Sequence, residues 1–162
     1  MAEQTRRSLL FSTCSLLMAA LFAYSASVQL DDPDWYLWLP LYAVASAVNL
    51  LQIGTTVKSV QSVARLTLLI GGALFLKVAV EGYAHGTAGV WSLDMRERVV
   101  REKLGSALVT VSMLLHLEPL PPISEEKPTA RRCVDYGMAS AVAVSLGLCI
   151  RFFMVDKRDM RK

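Results

Sequence analysis

Three carboxylates crowd one short turn. The run Gln29-Leu30-Asp31-Asp32-Pro33-Asp34 contains Asp31, Asp32 and Asp34 and no Lys or Arg. Two kinds of chemistry suit this pattern. In one, the acids offer oxygen ligands to a hard cation or pass on a proton, with Glu102 as a further member. In the other they serve the helix that follows. Asp32 caps it, Pro33 takes its first position, and Asp34 faces its positive end, which needs no ligand. A second set of groups is neutral: Asn49 and Gln52 lie three residues apart, on one face of a helix. Such amides bond to a neighbouring helix or line a path for a solute, and packing is the simpler role. His85 and His116 stand alone, so no zinc spacing exists and no metal or cofactor is expected. There is no nucleophile elbow, phosphate-binding glycine loop or dinucleotide fingerprint, so no enzymatic activity is expected either.

The elements that must position these residues are apolar blocks. Hydrophobic residues make up 54% of the 162 residues and charged ones 19%, and mean hydropathy is positive. The apolar residues fall into runs of about 20, the length a helix needs to cross a hydrocarbon core. The expected fold is an all-α membrane protein, a bundle of five transmembrane helices with short loops, or four if the weakest block does not cross. The spans are placed at about 8–30, 36–57, 60–80, 101–118 and 134–155, in one transmembrane domain covering 1–162.

The first block follows Arg6 and Arg7 and is long enough to span, so it is expected to be retained rather than cleaved as a signal peptide. Ser15, Ala19, Ala23 and Ser27 recur along it every four positions, as do Gly137, Ala141 and Ser145 along the last, a spacing that lets helices approach closely. Trp35, Tyr36 and Trp38 suit the membrane interface. Arg65 and Lys77 lie near the ends of the third block, where long basic chains snorkel, and Lys77 is spaced to pair with Glu81. Trp91, Met95 and Val99 give a stretch at about 88–103 the pattern of an interfacial amphipathic helix. The fourth block holds only about 15 apolar residues, marginal for a span. It ends at His116 and Glu118, before the breaker run Pro119-Leu120-Pro121-Pro122.

A net charge of +3, with basic residues beside apolar blocks, points to lipid headgroups and not to nucleic acid. Lys and Arg balance across the two sides of a five-span topology, so charge does not set the orientation. Cys14, Cys133 and Cys149 form no disulfide framework, since two of them lie in apolar blocks.

Two patches resemble the transmembrane protein 220 family. One is Gln29-x-Asp31-Asp32-Pro33-Asp34 followed by Trp38 and Tyr42. The other is Arg101-Glu102-x-x-Gly105. Asp31 stands where that family usually has Asn, adding a negative charge. The resemblance implies the same order of helices and singles out these residues, but it brings no established activity with it. The expected function is that of a structural or accessory multi-pass protein, acting through helix–helix association with a membrane partner or a second copy. The alternative is a small-solute or ion transporter or channel, suggested by Asn49, Gln52, Arg65 and the acidic turn. If five helices span, the acidic turn and the start of the fourth block share a side, and Arg101 is expected to pair with Asp32 or Asp34.

Overall fold

In the computed structural model, residues 8–53, 58–85, 97–118 and 128–151 are described. They form five α-helices: α1 Leu9–Val28, α2 Trp35–Leu51, α3 Lys58–His85, α4 Arg98–Leu117 and α5 Pro128–Arg151, with a short 3-10 turn Gln29–Asp31 between α1 and α2. Segments within α1, α3 and α5 are long and apolar enough to cross a membrane, namely Leu9–Val28, Ser59–Ala84 and Arg132–Arg151. Helix α2 is apolar but has only 17 residues, a rise of about 25 Å. It tolerates Pro40 in its interior.

Contacts between named residues fix the direction of each helix. Ser12 Oγ donates to Ile53 O at 3.3 Å, Ser46 Oγ donates to Ala19 O at 2.8 Å, and Phe22 stacks on Tyr42. As one number rises the other falls, so α1 and α2 are antiparallel. Between α2 and α4 the numbers rise together. Tyr42 lies against Gly105, and Asn49 bonds Ser112 across a separation of 63 positions, the same offset. These two helices are parallel. Ser8 Oγ donates to Asp135 Oδ1 at 2.6 Å, and Gly137 lies against Leu115, so α5 starts at the end where α1 starts and α4 finishes.

Helix α4 lies among the others, packed on α2, α3 and α5. Glu102, Ser106, Val109, Met113 and His116 are all buried along it, at steps of four and three that trace one narrow seam. The apolar surface faces outward elsewhere: Leu66, Leu69, Leu76 and Val80 of α3 are exposed, as are Leu16 of α1 and Ile150 of α5. Lys77 and Glu81 make the expected i, i+4 pair at 3.1 Å.

Several expectations need correcting. The second helix ends at Leu51 and not near 57, with Gln52 as its C-cap residue. The third and fifth start earlier than expected, at Lys58 and Pro128. Residues 98–103 are not part of a separate interfacial helix, because α4 begins at Arg98 and runs through them. Trp91 and Met95 lie outside the described residues. The small-residue line on α1 divides: Ser15 and Ala19 are buried, whereas Ala23 and Ser27 are exposed. A step of four residues turns 400°, so the line drifts about 40° per step off any fixed face. On α5 the line holds better, since Ala141 and Ser145 are buried and a Cβ at Gly137 would come within 2.9 Å of Leu115 Cδ2.

Candidate functional site: a charged end and a neutral cluster

The two sequence patches meet where α1 finishes and α2 and α4 begin. Asp34 occupies the N-cap position of α2 but makes no capping hydrogen bond with its side chain. Its Oδ2 is used otherwise, accepting from Trp38 Nε1 at 3.0 Å and from the Arg98 guanidinium in an ion pair. Arg98 also donates through Nε to Glu102 Oε1, one turn further along α4. One guanidinium, which stays protonated at any ordinary pH, therefore joins a carboxylate from each motif. Asp34 and Glu102 side chains are 17% and 7% exposed, and that of Arg98 38%. Burial on this scale makes the join sensitive to loss of either partner.

Trp38, Tyr42 and Gly105 lie directly beneath. Trp38 and Tyr42 stack with ring centroids 6.3 Å apart, and Phe22 of α1 also stacks on Tyr42 at the same distance. Gly105 provides the room: a Cβ there would overlap the Tyr42 hydroxyl and come within 3.0 Å of Cζ. The Gly of the second motif and the Tyr of the first are thus two halves of one contact.

The expected capping role is redistributed. Asp32 does not cap α2 and instead ends the 3-10 turn, its backbone carbonyl accepting from Trp35 N at 3.2 Å. Pro33 precedes the helix and does not open it. Trp38 is fully buried inside the bundle at 0% exposure, whereas Trp35 and Tyr36 are exposed at 48% and 61%. Arg98, one turn before Arg101 on α4, supplies a cation to Asp34. Gln29 contributes a buried Oε1, and Asp34 a buried Oδ1, that have no hydrogen-bond partner among the described residues. Asp31 lies in the same turn, within the 3-10 segment. Among the described residues no cluster of three or more His, Cys, Asp or Glu is arranged to hold a metal ion.

The second site lies toward the opposite end and contains no charged side chain. Asn49 Nδ2 donates to Ala45 O at 2.9 Å and to Ser112 Oγ at 3.1 Å. Its Oδ1 lies 2.9 Å from His116 Nε2. A backbone carbonyl can only accept, so the Ala45 contact fixes which end of the Asn49 amide is nitrogen. The oxygen must then face His116, and His116 must carry its proton on Nε2. Phe11 of α1 closes the cluster edge-on, 5.1 Å from the imidazole. Asn49, Ser112 and His116 are each 0% exposed. Sequence spacing left His116 isolated because its partner is 67 positions away. Only the parallel register of α2 and α4 brings them together. Gln52 and Ser15 are buried at the same end, at 1% and 0%. The Gln52 amide nitrogen and oxygen and the Ser15 hydroxyl have no hydrogen-bond partner among the described residues.

No solved structure matches the chain. The family described as "Transmembrane family 220, helix" matches residues 21–118, more than half of the sequence. The match runs from the second half of α1 to the end of α4 and takes in both the charged end and the neutral cluster. The chain belongs to Transmembrane family 220.

Proposed function

We propose that all five helices cross the bilayer and that the protein acts as a structural or accessory subunit of a membrane assembly. The observation that supports this reading is α4. By composition it is a poor membrane helix, with Glu102, Ser106, Ser112 and His116 along it, yet these are the residues it buries. Hydropathy measures how a segment would fare alone in lipid. Here α2, α3 and α5 cover the polar seam, and polar side chains between helices act as joints in an apolar medium. Its 20 residues rise about 30 Å, enough to match a hydrocarbon core. It also runs parallel to α2, as alternating crossings require.

The non-catalytic part of the reading rests on where the polar groups go. Asp34, Arg98 and Glu102 join one another, and Asn49, Ser112 and His116 do likewise. Each set holds helices together, while the outward faces of α1, α3 and α5 are left apolar for lipid or for a partner helix.

Two experiments test the proposal. Tags at the two termini, probed by protease in sealed vesicles, are expected to show opposite sidedness; both protected or both cleaved means an even number of crossings. Purification in mild detergent is expected to yield a stable complex with a membrane partner or a second copy. A monomer that by itself carries solute flux in liposomes would support the transport alternative instead.

A further inference from the structure

We propose that Gln52 and Ser15, beside the Asn49–Ser112–His116 cluster, form an internal site for one small uncharged guest carrying both a hydrogen-bond donor and an acceptor. Gln52 is 1% exposed and Ser15 0%, and neither Gln52 Nε2, Gln52 Oε1 nor Ser15 Oγ has a hydrogen-bond partner among the described residues. A buried primary amide with neither end bonded is rare in folded proteins and costly in lipid, where no solvent relieves it.

The register of the helices places these groups together. Gln52 follows Asn49 by one turn on the same face of α2, and at the 63-position offset it stands level with Leu115 and His116 of α4. Ser15 follows Phe11 by one turn on α1, and Phe11 touches His116. In the antiparallel α1–α2 pair, where Ser12 meets Ile53 and Ala19 meets Ser46, Ser15 stands level with Leu50, two residues or about 3 Å of rise from Gln52.

The chemistry limits the guest. The groups facing it are an amide, a hydroxyl and the neutral network of Asn49, and the described cluster contains no charged side chain to compensate an ion. Asp135, the acid at this end, is engaged by Ser8, and an ion would bring a desolvation cost that the amide and the hydroxyl do not offset. The amide offers a donor and an acceptor side by side, matched by water or by a carboxamide. Gln52 caps the end of α2, so the site lies about one turn inside the bundle, on the side where α1 begins.

Nuclear magnetic resonance of the full chain in detergent micelles tests this, reading the side-chain amide of Gln52 with formamide as probe. A saturable formamide-dependent shift at Gln52, absent in Gln52→Leu and reduced in Ser15→Ala, supports a carboxamide guest. No formamide response, but a water cross-peak on the Gln52 amide protons with the residence time of a bound molecule, supports water as the guest. Gln52→Met serves as a second variant should the Leu protein fold poorly. Absence of both signals in the unsubstituted protein overturns the proposal, and the expected companion result is then a higher melting temperature for Gln52→Leu, since an unsolvated amide would have been removed.

Discussion

The two polar regions of this bundle solve the same problem with different chemistry. At one end ionic groups join α2 to α4 through Arg98, with its side chain 38% exposed. At the other, an amide, a hydroxyl and an imidazole make the join, each at 0% exposure. Both lie near helix ends, so depth alone does not separate them. Enclosure does. Charges are used where the guanidinium stays open to its surroundings, and neutral groups are used where Phe11 shuts the space. This follows the cost of the two choices, since a charge withdrawn from water loses far more solvation than an amide does.

Substitutions can break or sharpen that contrast. The largest effect is expected at Gly105, between the two regions. Gly105→Ala forces the Tyr42 ring out of its stack and should cost about 3 kcal/mol of unfolding stability in detergent, the upper range for overpacking. Arg98→Gln comes next, at about 2 kcal/mol, because it strands Asp34 and Glu102 together in partly solvated surroundings. That loss should shrink in high salt, and a cycle with Asp34→Asn should show coupling of about 1 kcal/mol or more. Asn49→Leu is expected to cost about 1 kcal/mol, in line with hydrogen bonds between membrane helices, and to be indifferent to salt. If the salt responses of Arg98→Gln and Asn49→Leu prove alike, the distinction between the two regions fails. The smallest effect belongs to Ser8, whose hydroxyl accepts from Phe11 N at 3.0 Å while donating to Asp135. Ser8→Ala should cost about 0.5 kcal/mol, the low end for a lost cap, read as a small drop in melting temperature.

Much of this arrangement was legible in the sequence, for reasons that also mark the limits. Helices α1, α3 and α5 appear as apolar blocks because they turn apolar surface outward, and that surface shows directly in composition. The weak fourth block is weak because it faces protein. Its serines and His116 answer to neighbours, and a linear scan carries no trace of neighbours. Asn49 and Gln52 could be put on one face from spacing alone, but not their different fates, one bonded and one without a partner among the described residues. The two motifs named the right pieces of the charged end, Asp34, Trp38, Tyr42, Glu102 and Gly105, without saying what joins them. Arg98 was missed as the joining residue, although its i, i+4 spacing to Glu102 was a usable signal. Asp32 and Pro33 were misplaced because helix starts shift by a residue or two on small energies.

The constant offset between α2 and α4 also governs which changes in chain length the fold can absorb. Tyr42 with Gly105 and Asn49 with Ser112 are two fastenings seven residues apart on both helices. One residue inserted into α2 between them would turn Asn49 by about 100° and advance it about 1.5 Å relative to Tyr42, so that only one fastening could close. A matching insertion into α4, between Gly105 and Ser112, would carry Ser112 and His116 through the same turn and let both close again. The pair restores this join alone, because Ile53 beyond α2 and Leu115 of α4 would still be turned away from Ser12 and Gly137, so chain length in this stretch is tied to every helix that packs on it.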